Sequence, residues 1–94
     1  MSDYKSQIID IIRKYIKDKS IEILLFGSRA EGNSSMISDY DLAIRSKDEL
    51  SETILSTIKE ELDNSNIPFK VDLVDYNKVS DALRESIDRS NIKW

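Results

Sequence analysis

The sequence predicts a small α/β (α+β) protein, with one β-sheet of three to four strands covered by helices on at least one face. Two observations predict this class. Apolar residues recur at helical spacing in three segments, and short runs with the branched or alternating pattern of strands lie between and beside them. The chain has 94 residues, so we expect a single domain that spans residues 1–94.

The first helix is expected at about residues 3–18, where apolar side chains recur every three or four positions and charged residues separate them. The first strand is expected at 21–26, a nearly continuous apolar run that is typical of a buried strand and ends at Gly27. The small polar residues of 28–38 predict a turn with a short helix.

An alternating pattern predicts the second strand at 40–45. One face is apolar, and the other carries Asp41, Ala43 and Arg45. About a dozen residues connect this strand to the first, which is too many for a tight hairpin, so the relative direction of the two strands stays open. Arg45 is expected either to approach a phosphate or only to balance the acidic charge on its face.

A capping box formed by Ser46 and Glu49 predicts that the second helix begins there and extends to about Asp63. A third strand follows at 69–75, with apolar side chains on one face and polar ones on the other.

The last elements are a third helix, at about 78–89, and a short edge strand at 91–94. Trp94 has three open interpretations: it anchors an interface, it packs at the sheet edge, or it frays.

Composition excludes several classes of chemistry. The chain has no cysteine and no histidine, which removes disulfide scaffolds, thiolate zinc sites and imidazole general bases. A metal ion would need oxygen ligands, which favours magnesium, manganese or calcium. The net charge of −4 disfavours nonspecific nucleic-acid binding.

The same composition is expected for a cytoplasmic protein without a membrane contact. No apolar run approaches the roughly 20 residues that a membrane-spanning helix needs. The first residues, Met1-Ser2-Asp3-Tyr4, lack the basic and then apolar pattern of a signal peptide.

The segment from Gly27 to Asp41 carries the chemistry. A glycine and a serine directly follow a buried strand, and backbone N–H groups at such a tip bind phosphate well. Gly27 would let a phosphate approach the backbone, Ser28 would add a hydroxyl donor, and Arg29 would add charge. Asp39 and Asp41 are two positions apart, so a strand places both carboxylates on one face, close enough to share divalent cations.

A third carboxylate lies on the next predicted strand. Asp72 interrupts an apolar run and belongs to the polar face of that strand. Three converging carboxylates repel each other unless cations lie between them, as in two-metal phosphoryl or nucleotidyl transfer. Asp75 is the rival third carboxylate, but parity places it on the apolar face, at the end of the strand, where solvation is easy. Asp72 is therefore preferred.

Glycine-serine, ten residues, and then Asp-x-Asp resembles the signature of the DNA polymerase beta-like nucleotidyltransferase superfamily. The small size and the run Gly-Ser-Arg-Ala-x-Gly resemble its minimal nucleotidyltransferase (MNT) domains. The resemblance implies a mixed-sheet nucleotidyltransferase fold, magnesium with manganese as a substitute, and ATP as the donor. Many relatives have a second arginine where this chain has Glu31, which weakens the expectation of a doubled arginine clamp.

Carried over to this chain, the resemblance assigns Gly27, Ser28 and Arg29 to the nucleotide. It assigns Asp39 and Asp41 to the metals, and Asp72 to activation of the acceptor hydroxyl at the same metal site. All three aspartates would then be catalytic.

The resemblance also implies a partner. MNT proteins commonly act as antitoxins that adenylylate a tyrosine hydroxyl of a HEPN-type toxin. Two other functions stay open. One is neutralisation of the partner by contact alone. The other is transfer of a nucleotide to a small molecule such as an aminoglycoside, which usually needs an added domain. Both a homo-oligomer and a hetero-oligomer are compatible with the sequence.

Overall fold

The computed structural model describes residues 4–27, 40–90 and 92–94. Within these residues the chain forms three helices and four strands, and no helix there is long and apolar enough to cross a membrane. The elements are α1 (Tyr4–Tyr15), β1 (Glu22–Phe26), β2 (Tyr40–Arg45), α2 (Glu52–Asp63), β3 (Val71–Asp75), α3 (Asp81–Ser90) and β4 (Ile92–Lys93). The predicted mixed α/β class is confirmed.

The four strands form one mixed sheet in the order β3-β2-β1-β4. Strand β2 runs antiparallel to β1 and parallel to β3, which answers the open question of strand direction. The short strand β4 pairs antiparallel with β1 at the other edge. Because β2 and β3 are parallel, α2 crosses the sheet between them and returns the chain to the end at which β2 begins.

Helices cover both faces of the sheet. On one face, α1 and α2 pack against alternate residues of the strands, such as Leu42, Ile44 and Leu73. On the other face, α3 packs Ile87 against Ala43 and the residues around it. The predicted alternation of β2 and β3 is therefore confirmed, and the centre of β2, Leu42 to Ile44, is buried from both sides. The first cluster consists of Ile8, Ile11, Ile12, Ile16, Ile21, Ile23, Leu25, Leu42, Ile44, Leu55, Ile58, Leu62, Val71 and Leu73.

Helix α2 begins later than the capping box predicts. Its N-cap is Ser51, whose hydroxyl accepts from the backbone N–H groups of the first turn, so the prediction of a helix start at Ser46 is wrong. The physical reason is a long-range contact. The backbone N–H of Leu50 donates to Asp75 Oδ2 at 2.7 Å, and the Asn77 side chain donates to the carbonyl of Ser46. These contacts hold the segment before Ser51 outside the helix.

Helix α3 also begins three residues later than expected, at Asp81. Ser80 accepts a hydrogen bond from the backbone N–H of Leu83, as an N-terminal cap does. The preceding residues form a turn that Asp75 organises, because its carbonyl accepts from Lys78 N at 2.9 Å and its carboxylate accepts from Asn77 N. The residues at 78–80 are therefore used by the turn rather than by the helix.

Trp94 packs at the sheet edge, one of its three predicted environments. Its backbone N–H donates to the carbonyl of Ile23 at 2.8 Å and so extends the pairing of β4 with β1. Its ring lies 5.4 Å from the ring of Tyr40, and the ammonium of Lys5 lies over it at 5.6 Å. The indole therefore helps to join α1 to the sheet.

Candidate active site

Two of the predicted aspartates lie side by side. Asp41 on β2 is the register partner of Asp72 on β3, and neighbouring strands are about 4.8 Å apart. Both positions have the parity of Ala43 and Val74, so both side chains belong to the sheet face that α3 covers. Asp41 is also opposite Phe26, the last residue of β1. The site therefore lies where β1 ends and where β2 and β3 begin.

Gly27 completes this corner of the sheet. It has φ +80°, a left-handed conformation that favours glycine over residues with a side chain. A Cβ atom built at Gly27 would overlap the Oδ2 atom of Asp41 and would lie 3.1 Å from its Cγ atom. The glycine is thus required both by its backbone angle and by the close approach of the Asp41 carboxylate.

This geometry predicts the effect of Gly27→Ala. We expect a loss of about 1–2 kcal/mol of unfolding free energy from the left-handed backbone alone, and a further loss from the overlap with the carboxylate. Urea denaturation followed by circular dichroism measures it.

A double-mutant cycle separates the two causes. In an Asp41→Ala background the overlap is absent, so Gly27→Ala should cost less there than in the parent. An equal cost in both backgrounds would contradict the contact between Gly27 and Asp41.

The Asp72 carboxylate has a cationic neighbour. Lys70 Nζ lies 3.7 Å from Asp72 Oδ1, with 62% of the lysine side chain and 44% of the aspartate side chain exposed. Lys70 immediately precedes β3 and Asp72 is the second residue of that strand, and the 3.7 Å contact places both side chains on the same side of the sheet. This neighbour was not singled out from the sequence, although the same parity argument that selects Asp72 also places Lys70 beside it.

The described donors fit a hard divalent cation, but they form only part of a site. Asp41 and Asp72 offer carboxylate oxygens, the donors that Mg²⁺ and Mn²⁺ prefer. Among residues 4–27, 40–90 and 92–94 no group of three or more His, Cys, Asp or Glu side chains could hold a metal ion. The third predicted ligand, Asp39, lies outside the described residues, as do Ser28, Arg29 and Glu31.

Arg45 is not part of this corner. It lies at the opposite end of β2 from Asp41, where its Nε donates to Glu22 Oε1 at 2.7 Å and its guanidinium contacts the ring of Tyr76 at 5.4 Å. Lys93 and Arg45 together hold the pKa of Glu22 below its usual range, through hydrogen bonds. Arg45 therefore balances Glu22 and not the pair of aspartates, so the prediction that it balances the acidic charge on its face is wrong. Its approach to a phosphate stays a prediction.

Asp75 lies on the opposite face of the sheet from Asp72 and is 3% exposed. Its carboxylate accepts from the backbone N–H groups of Leu50 and Asn77. The parity argument for Asp75 is confirmed, but the expectation that it is easily solvated is wrong, because α2 and its preceding segment cover the strand end. Backbone donors replace water around this carboxylate.

Comparison with known proteins identifies a matching family and a similar protein. Residues 6–93 match the family described as polymerase beta, nucleotidyltransferase. The chain is 33% identical, over 87 residues, to a Haemophilus influenzae protein named as a probable protein adenylyltransferase, MntA. That similarity covers 90% of this chain and 76% of the relative.

Two solved structures have a fold similar to that of this chain. One is a toxin–antitoxin structure with AMP-PNP, which has a TM-score of 0.77 at 26% identity. The match covers 96% of this chain and 72% of the chain in that structure. A second structure contains a tri-AMPylated Shewanella oneidensis HEPN toxin in complex with an MNT antitoxin. It has a TM-score of 0.71 at 24% identity, and the match covers 96% of this chain and 68% of the chain in that structure. At that identity, the second comparison bears on the fold alone.

Proposed function

Because this chain belongs to the polymerase beta nucleotidyltransferase family, we propose that it is an antitoxin that transfers AMP from ATP to a tyrosine hydroxyl of a HEPN-type toxin. The observation that carries the proposal is the pair Asp41 and Asp72, in register on parallel strands beside Gly27. The relative named as a protein adenylyltransferase and the similar toxin–antitoxin structure with AMP-PNP support ATP as donor and a protein as acceptor.

The pair of carboxylates suits nucleotidyl transfer for an electrostatic reason. Two carboxylates on adjacent strands make the local electrostatic potential more negative. This potential favours the binding of a divalent cation over a monovalent one. We propose that Asp41 and Asp72, together with Asp39, hold Mg²⁺ or Mn²⁺. When bound, the cation would supply positive charge to the phosphates and lower the pKa of an acceptor hydroxyl.

The chain's own residues have distinct proposed roles in the transfer. Gly27, Ser28 and Arg29 hold the triphosphate, and the absence of a side chain at Gly27 lets phosphate oxygens approach the backbone. Asp72 accepts the proton of the acceptor hydroxyl. The hydroxyl oxygen then forms a bond to the α-phosphorus as the bond to the β-phosphate breaks, and pyrophosphate leaves.

The test uses the complex that forms when this chain is co-expressed with a HEPN-type protein from the same organism. Supplied with ATP and Mg²⁺, the partner is expected to gain mass in steps of one AMP, as read by intact-mass spectrometry. Peptide mapping should then place the modification on a tyrosine. EDTA should prevent the gain, because the proposed reaction requires a divalent cation.

Two outcomes would contradict the proposal. An unmodified partner that is nevertheless neutralised by the parent and by Asp72→Asn would indicate an antitoxin that acts by contact alone. A modified small-molecule acceptor, with the partner unmodified under the same conditions, would indicate a different acceptor class.

A further inference from the structure

We propose that Lys70 is a phosphate-binding residue that alternates between two partners. In the unliganded protein its ammonium neutralises Asp72, and once a divalent cation takes that place the ammonium binds a phosphate of the nucleotide. This inference rests on the proposed function, because it concerns how the same site receives ATP. The observation that carries it is the distance of 3.7 Å between Lys70 Nζ and Asp72 Oδ1.

The backbone of Lys70 is fixed while its charged end is free to move. Its carbonyl accepts a hydrogen bond from the Tyr40 N–H at 2.9 Å, which ties the residue to the first residue of β2. Its side chain is 62% exposed and lies on the face of β3 that also carries Asp72. A lysine is a compact charge on a flexible stem, so the ammonium can leave Asp72 without moving the strand.

Electrostatics favour the exchange. The carboxylates of Asp41 and Asp72 occupy adjacent positions, so each makes the electrostatic potential at the other more negative and favours a divalent cation there. An ion pair as exposed as this one stabilises the protein only slightly, so a divalent cation can displace it. The displaced ammonium remains at the start of β3, on the face where the proposal places the triphosphate. There it would add a charge-assisted hydrogen bond to a phosphate oxygen.

Isothermal titration calorimetry of the isolated chain tests both halves of this inference, using Mn²⁺ alone and then ATP in the presence of saturating Mn²⁺. With Lys70→Met, Mn²⁺ affinity should rise about threefold because the competing ammonium is gone. ATP affinity at saturating Mn²⁺ should fall about tenfold because a charged donor is lost. Lys70→Arg, which keeps the charge, should stay within about twofold of the parent for ATP.

Lys59→Met is the matched control, because Lys59 is exposed on α2, on the other face of the sheet, and should change neither affinity. A Lys70→Met variant that shows only one of the two changes, or neither, overturns the inference. Asp72→Asn in the same titrations separates this failure from that of the proposed function. If Asp72→Asn weakens Mn²⁺ binding and Lys70→Met does nothing, only the lysine inference fails. A parent chain that binds neither Mn²⁺ nor ATP overturns both.

Discussion

An Asp72→Asn variant is expected to transfer AMP roughly 10²–10⁴-fold more slowly than the parent, the range that a positioned general base supplies. Asparagine has nearly the same shape as aspartate, but it neither accepts the hydroxyl proton nor carries the charge that draws a cation. ATP should still bind, because the proposed triphosphate contacts come from Gly27, Ser28 and Arg29. The loss should therefore appear in kcat much more than in KM.

Single-turnover kinetics with the HEPN-type partner, ATP and Mg²⁺ measure this effect. Asp63→Asn is the matched control, because it makes the same chemical change at an exposed position at the end of α2. It should leave the rate within about twofold of the parent. A rate for Asp72→Asn within tenfold of the parent would assign proton transfer to another group.

Asp75→Ala is expected to lower the unfolding free energy by about 2–4 kcal/mol. The substitution leaves the backbone N–H groups of Leu50 and Asn77 without their carboxylate acceptor in a buried position. Each unsatisfied buried donor costs about 1–3 kcal/mol, and neighbouring water can replace part of the loss. Urea denaturation followed by Trp94 fluorescence or circular dichroism measures the change.

Asp75→Ala should therefore affect mainly the stability of the protein, and Asp72→Asn mainly the rate of transfer. At a temperature where Asp75→Ala is still folded, its transfer rate should stay close to that of the parent, because Asp75 lies on the other face of the sheet. Asp72→Asn should keep its stability within about 0.5 kcal/mol of the parent, because Asp72 is half exposed. Loss of less than 0.5 kcal/mol in Asp75→Ala would show that these hydrogen bonds contribute little to stability.

The sequence predicts the sheet faces well because strand parity is local. In β2 and β3, alternate residues must point to opposite faces, so the placement of Asp41 and Asp72 on one face depends only on where each strand runs. Their closeness in space depends also on β2 and β3 being neighbours. That neighbourhood is common for strands that follow one another in the chain, and it is present here. The predicted roles in binding and catalysis stay predictions for all six residues: Gly27, Ser28, Arg29, Asp39, Asp41 and Asp72.

The start of α2 was not predictable from local signals. Ser46 and Glu49 have the spacing of a capping box, and Ser51 is an equally good cap by residue type. The choice depends on the carboxylate of Asp75, which binds the Leu50 N–H from a strand much later in the chain. A tertiary contact of this kind overrides capping preference, and no pattern near Ser46 signals it.

The partner of Arg45 on the neighbouring strand was not predictable either. Arg45 lies on the same face of β2 as Asp41, and its charge predicts a phosphate or an acidic cluster as its partner. The antiparallel register of β1 and β2 places Glu22 directly opposite it instead. Because strand direction was open, the sequence gives no way to select this partner.

The crossover from β2 through α2 to β3 links ligand binding to folding. Asp41 and Asp72 are neighbours only after the parallel pair has formed, so a ligand held by both binds the native chain and not the unfolded one. By mass action, free ligand at 100 times its Kd would add about 2.7 kcal/mol to the unfolding free energy. Cellular levels of nucleotide and divalent cation would then regulate how long this small chain survives proteolysis, as well as whether it reacts.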